Sequence, residues 1–359
     1  MNRLLVSLAA ALSLTACATL TMDRGDAGRT GVYAGATGLQ QLTRLSWKYK
    51  AESASYSTPL VTEQAVFYGA ADGTLHAIRR SDGSRLWQHK TGGNIEAAPA
   101  RAGDRILFGS ADNHFYALDI EDGRIHWRRN LDAAVYGAPA VTGDTAYVGT
   151  TAGDVLALDI ASGEPRWRYR TGAAVYAAPA VLDGTVYVGS DDGRLYALDA
   201  ADGRERWSFR TGGRVYGGPA VAGDSVYFGS ADQYVYAVDV NTGQARWKYR
   251  TRGTIYASPA VHEGRVYIGS TDRTLYALDA ASGDLVWKFY ARDEVYGAAS
   301  VAGTMLYVGT TGGNLYAIER ASGRQVWSFR TDSKIHSAPV IAARAVYVAD
   351  HAGNVYALE

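Results

Sequence analysis

One cysteine, Cys17, is the whole thiol complement of the chain. No internal disulfide framework and no cysteine cluster for zinc can therefore form. An excess of either charge is missing too, since 36 basic side chains face 36 acidic ones. A neutral balance argues against electrostatic capture of nucleic acid, which needs a basic surface. Long apolar runs are scarce: the stretch 4–14 near the N-terminus is too short for a membrane span of about 20 residues. What is plentiful is glycine and tyrosine, 41 and 25 residues respectively. That balance points to many short strands joined by tight turns.

Residues 1–16 read as an export signal, with Arg3 as its positive start and residues 4–14 as its apolar core. Leu14-Thr15-Ala16-Cys17 resembles the lipobox of bacterial lipoproteins, which implies cleavage before Cys17 and lipid attachment to it. The alternative is an ordinary secreted chain with an incidental Cys17. With lipid on Cys17, acyl chains rather than a helix would hold the protein at a membrane. Residues 17–40, rich in Gly, Thr and Ala without periodicity, are expected to form a flexible tether. Ala18, in place of the aspartate that often retains enteric lipoproteins at the inner membrane, favours the outer membrane.

The rest of the chain repeats. The tryptophans are Trp47, Trp87, Trp127, Trp167, Trp207, Trp247, Trp287 and Trp327, each 40 residues after the last. Pro59, Pro99, Pro139, Pro179, Pro219, Pro259 and Pro339 keep the same step, with Ala299 as the exception. One copy shows the unit: an extended stretch at 175–181, strands at 186–188, 195–198 and 206–210, and turns at 182–185, 189–193 and 201–203. Asp-Gly pairs mark the turns. Four antiparallel strands in 40 residues make a propeller blade, and no helical period survives so many turns. The fold class is all-β, an eight-bladed β-propeller.

Ala197-Leu-Asp199-Ala-Ala-Asp-Gly203-Arg-Glu-Arg-Trp207 resembles the tryptophan-docking motif of quinoprotein-type β-propellers. The copies at 157–167, 237–247 and 277–287 fit closely, while the copy at 77–87 has Arg79 in the acidic position. The resemblance covers residues 41–359 and implies that each Trp packs between neighbouring blades. Motif halves are offset, since Trp47 lacks an Ala before it and Ala357 lacks a Trp after it. The strand around Trp47 is therefore expected to complete the last blade and close the ring.

Catalysis finds little support. The resemblance invites a dehydrogenase using pyrroloquinoline quinone and calcium, but all eight Trp belong to the blade ladder and the only Cys is Cys17. Asp112, Asp192, Asp232 and Asp272 recur at equivalent turns, where the simplest role is turn chemistry. Ser190 and its equivalents read as strand-end hydrogen bonding. His336 and His351 share the last blade and are placed to approach one another, without zinc-like spacing. The expectation is a protein with no catalytic residues, no cofactor and no metal.

A binding role remains. The column Tyr56, Glu96, Tyr136, Tyr176, Tyr216, Tyr256, Tyr296 and His336 forms a ring under eightfold symmetry. It either lines the central channel or packs each aromatic against the next blade, and packing is preferred. Loop positions vary on one face, where Arg214, Tyr234, Glu294 and Lys334 mix charge with an aromatic and suggest a protein partner. Export signal, lipobox, docking repeats and closing strand together resemble the scaffold lipoproteins of the machinery that inserts β-barrel proteins into the outer membrane. That resemblance implies a non-catalytic, periplasm-facing envelope scaffold with protein partners and a lipid anchor. The alternatives are an envelope or surface propeller for another protein or ligand and, last, the quinone dehydrogenase.

Overall fold

The computed structural model describes residues 24–359. The expected signal segment and Cys17 lie outside the described residues. Eight four-stranded antiparallel sheets are present and, among the described residues, no helix. Blade 1 is built from Leu60–Val61, Ala65–Gly69, Thr74–Arg79 and Arg85–Lys90, in order from channel to rim. Blades 2 to 7 repeat this order in residues 100–130, 140–170, 180–210, 220–250, 260–290 and 300–330. Blade 8 takes Val340–Ala342, Ala345–Ala349 and Asn354–Leu358 from the end of the chain and Leu45–Lys50 from its beginning. Trp47 pairs with Ala357 there, as Trp207 pairs with Ala197 in blade 4. The expected closure is observed.

Alternation explains the burial. In the second and third strands of a blade both faces are covered by neighbouring blades, and Thr185–Gly189 is buried throughout. Such strands read as continuous Val, Tyr, Leu and Ala. The rim strand faces solvent with every second side chain, and Glu205–Arg210 is exposed at Glu205, Arg206 and Arg210. The apolar core lies between blades. One cluster joins Tyr147, Ala157 and Trp167 of blade 3 to Val181, Val186 and Leu198 of blade 4. The innermost strands are shorter than expected: in blade 4 only Ala180–Leu182 is strand, and residues 175–179 descend the channel outside any ladder.

Each tryptophan docks on the blade that follows. Trp167 Nε1 donates to the Ala200 carbonyl at 2.9 Å and Trp207 Nε1 to that of Val240 at 2.9 Å. The indole ring lies flat on a turn glycine: a Cβ built on Gly163 would stand 2.6 Å from Trp127. The φ of Gly163, +72°, disfavours any side chain there. Trp327 has no following turn in sequence, and the Leu39 carbonyl accepts its Nε1–H at 2.8 Å. The acidic motif position caps its turn, as Asp159 accepts from the Ser162 N–H and Oγ–H at 2.9 Å. In blade 1 Arg79 stands in that position, and Asp82 accepts from the Ser84 N–H at 2.8 Å, the same bond that Asp122 and Asp202 make to the Arg124 and Arg204 N–H groups at 3.0 Å in blades 2 and 4.

The chain enters and leaves on defined faces. Blade-to-blade loops such as residues 211–215 and the turns between second and third strands share the upper face. Turns such as residues 200–204 and 183–184 share the lower face.

Candidate functional site

The column of the ring descends from the upper face just before each innermost strand. Its aromatic members touch one another around the channel: Tyr176 and Tyr216 stack with centroids 4.9 Å and planes 6° apart, Tyr256 and Tyr296 stack at 4.8 Å and 8°, and between these pairs Tyr216 and Tyr256 meet edge to face at 5.7 Å and 86°. Tyr136 joins Tyr176 at 5.8 Å. The preferred packing is thus ring on ring across blades, and these same residues line a channel cavity of about 200 Å³. The remaining arc is polar, with Tyr56, His336 and His351 meeting at 4.6 to 5.9 Å and Glu96 beside Tyr136. Burial, then the neighbouring His351 and Lys334, lowers His336 to about 4, so it is neutral at pH 7. Burial raises the Glu96 carboxyl, against opposing contributions from Asn94 and His351. Burial likewise raises Tyr136, Tyr216 and Tyr296, which keeps their hydroxyls protonated as donors.

The floor of the channel was not foreseen. Residues 24–40, expected as part of a flexible tether, are packed against the lower face. Backbone bonds hold them: Val181, Val221, Val261 and Val301 donate N–H groups to the carbonyls of Ala27, Gly28, Thr30 and Gly31 at 2.7 to 2.8 Å. Val32 bridges Val301, and Tyr33 N–H donates to the Val301 carbonyl at 2.9 Å. The side chains of Arg24 and Arg29 reach into the channel and are buried at 1% and 2% exposure. Arg24 donates to the Ala299 carbonyl at 2.6 Å and the Pro259 carbonyl at 2.5 Å. The channel is therefore closed below and opens on the upper face.

The expected loop residues share that upper face but are spread around the ring. Arg214 is exposed, 3.6 Å from Asp191. Tyr234 lies beneath two cations, with Lys248 Nζ 4.9 Å and the Arg250 guanidinium 5.9 Å from its ring centre. Lys334 is exposed and Glu294 half-buried, and their carbonyls accept from the N–H groups of His351 and Thr311 at 2.7 and 3.0 Å. Sequence reasoning missed Lys248 and Arg250; their alternation on a rim strand, on either side of Tyr249, was the available signal. The repeated aspartates do turn chemistry and more. Asp192 accepts from the Arg194 N–H at 2.9 Å, the Gly172 N–H at 2.8 Å and the Tyr196 hydroxyl at 2.6 Å. Ser190 Oγ donates to the Ala173 carbonyl at 3.2 Å and accepts from Asp192 N–H at 3.3 Å, as a strand-end residue should. Two larger clefts, of about 1140 and 830 Å³, open on the lower face, beside the closing strand and beside residues 25–34.

The residues do not fit a bound quinone and its calcium ion. Every tryptophan is engaged between blades, and among the described residues no three His, Cys, Asp or Glu side chains converge as metal ligands. No helix among the described residues is long and apolar enough to cross a membrane.

No curated protein matches the chain. Among solved structures it is similar to BamB from Moraxella catarrhalis, with a TM-score of 0.78 and 21% identity over 89% of this chain and 100% of that one. The computationally designed Ika8 protein follows with a TM-score of 0.80 and 18% identity, over 88% and 99%. Quinohemoprotein alcohol dehydrogenase from Comamonas testosteroni has a TM-score of 0.82 and 16% identity, over 95% and 80%. At such identities the likeness is one of fold. Overlapping matches to one family model, described as outer membrane protein assembly factor BamB, run from residue 25 to residue 359 in five segments. The chain belongs to that family of PQQ-type repeat propellers.

Proposed function

We propose that this protein is a non-catalytic scaffold of the bacterial envelope, anchored at the outer membrane through lipid on Cys17. Its upper face would hold a protein partner in the assembly of β-barrel outer-membrane proteins. The observation that carries this reading is the family match, which takes in every blade and the segment that closes the channel. The upper face supports it, because a channel mouth of stacked tyrosines offers broad, rigid, amphipathic contact.

Affinity capture from detergent-solubilised envelope tests the reading. A β-barrel assembly protein among the captured partners is the expected result, and its absence would remove the assembly role. Charge reversal at Arg214 and Lys334 together should weaken capture without changing the fold. Loss from reversal at Asp183 and Asp224 instead would move the partner to the lower face. Replacing Cys17 by Ser should release the protein from the membrane fraction. The dehydrogenase reading has one observation behind it, the likeness in fold to the quinohemoprotein enzymes. Titration with quinone and Ca²⁺, followed by absorbance, should show no stoichiometric binding.

A further inference from the structure

The rim strands sort charge in a way the neutral total conceals. In blades 4 and 5 the outward position at the lower end of the rim strand carries a cation that is already engaged. Arg206 reaches Asp199 at 2.7 Å, and Arg246 reaches Asp224 and Asp239 at 2.9 and 2.5 Å. At the upper end of the same strands, Arg210, Lys248 and Arg250 are exposed and form no ion pair among the described residues. Arg252 and Arg292 on the adjoining loops are exposed and unpaired in the same sense.

The nearby carboxylates are held below them. Asp232 accepts from the Tyr236 hydroxyl at 2.7 Å, the Tyr234 N–H at 3.0 Å and the Gly212 N–H at 2.7 Å. Asp272 does the same with Tyr276, Thr274 N–H and Arg252 N–H, at 2.6, 3.0 and 2.9 Å. These two carboxylates are thus tied to donors of their own turn and of the preceding loop, and Asp293 and Glu294 beside Arg292 are half-buried, while the cations stand in solvent. Flat aromatics interleave with the cations: Tyr234 lies under Lys248 and Arg250, and Tyr290, 65% exposed, packs near Lys288.

Cations on a free sheet edge also discourage strand-to-strand association. That purpose accounts for the last outward position, a cation in most blades (Lys50, Lys90, Arg170, Arg210, Arg250 and Arg330), but not for the middle one, which is Gln88 in blade 1 and Ser328 in blade 7 against Lys248 and Lys288 in blades 5 and 6. In blade 3 the outward arginines are present but paired, with Arg166 on Asp144 and Asp159 and Arg170 on Asp154. Among the described residues, exposed cations without an ion pair also stand at Lys50, Arg128, Arg330 and Lys334, but they are most numerous on the upper margin of blades 4 to 6, where Arg210, Lys248, Arg250, Arg252, Lys288 and Arg292 lie.

We propose that this margin is a docking surface for an acidic polypeptide segment. An extended chain carrying several Asp or Glu residues would meet Arg210, Lys248, Arg250 and Arg252 in turn and lay its backbone on Tyr234 and Tyr290. Peptide is favoured over lipid by position. The described N-terminal residues, which lead back toward Cys17, lie on the opposite, lower face. The inference rests on the scaffold reading in taking the partner to be a protein and the membrane anchor to be at Cys17.

The test uses the full chain in detergent and a fluorescent 15-residue peptide rich in Glu and Asp, followed by anisotropy. Binding should weaken steeply with salt. The triple substitution Arg210→Glu, Lys248→Glu, Arg250→Glu should weaken it on the order of tenfold. The lower-face control Arg124→Glu, Arg204→Glu, Arg324→Glu makes the same change in net charge and should leave it within about twofold, with circular dichroism showing both variants folded. Equal loss in both triples, insensitivity to salt, or no binding at low salt would overturn the proposal. So would binding to phosphatidylglycerol vesicles, lost in the first triple, without binding of the peptide. None of these results depends on whether envelope capture recovers an assembly barrel, so the two readings fail separately.

Discussion

Alanine placed at two glycines of blade 3 separates backbone strain from tryptophan docking. Gly143 and Gly163 have φ values of +57° and +72°, so alanine at either carries the left-handed penalty of about 1–2 kcal/mol. Their surroundings differ. A Cβ on Gly143 meets nothing within 4 Å, whereas one on Gly163 would stand 2.6 Å from Trp127 Cε3. Forcing the indole away is an overpacking event worth a further ~1–3 kcal/mol. It also stretches the bond from Trp127 Nε1 to the Ile160 carbonyl, 2.9 Å long here. Gly143→Ala should therefore cost about 1–2 kcal/mol and Gly163→Ala about 2–5 kcal/mol. Urea unfolding reads the difference directly, and thermal midpoints should separate by about 2–6 °C. A quenching or wavelength change in tryptophan fluorescence should accompany Gly163→Ala alone. Equal destabilisation by the two variants would refute the pressed contact between indole and glycine on which the blade-to-blade docking argument rests.

Removing residues 42–50 deletes the rim strand of blade 8 and the partner of Ala357; a large fall in melting temperature is expected, and an unchanged one would contradict ring closure. His76 is neutral because burial lowers it to about 4. The unfolded chain takes up this proton below pH 6.5 while the native state does not, so stability should fall from pH 6.5 towards pH 4. His76→Tyr supplies the residue that donates to the equivalent aspartate in blade 2, where Tyr116 meets Asp112 at 2.6 Å, and should reduce that fall in unfolding measured at pH 7 and pH 5. Arg24→Met leaves the Ala299 and Pro259 carbonyls without this donor and should cost about 2–3 kcal/mol in urea unfolding, whereas a flexible tether would show no loss.

Blade architecture was legible because it is written in side chains. A tryptophan that must lie on a turn glycine, and an alanine that must pair across from it, recur wherever the contact recurs; the offset of Trp47 and Ala357 even revealed the closing strand. The Tyr column was legible as a ring, but alternation alone left open which way it faced. Residues 175–179 lie outside any ladder, so a period of two had no purchase there. Residues 24–40 were read as tether for a related reason. Their grip on the innermost strands is made mostly by backbone carbonyls, which any sequence possesses, so no pattern of side chains announces it. Only Arg24 and Arg29 marked the segment, and two arginines in a glycine-rich stretch look like solubility. The cationic margin escaped because the total charge is zero; only the structure shows which carboxylates are bound inside their turns and which arginines are not.

The closing pair of strands has a consequence for how the protein is made. Leu45–Lys50 leaves the ribosome before every other strand of the ring, yet its sheet partner, Asn354–Leu358, leaves after all the others. Residues 27–31 wait as well, since the backbones that hold them belong to blades 4 to 7. During synthesis the growing arc therefore has two open ends: an unpaired early strand and whichever blade has just emerged, its docking tryptophan still without a turn to lie on. Both ends disappear in the same event, when the final strand slides in beside the first. Until then the nascent chain is a sticky crescent, and whatever escorts it must shield two edges rather than one.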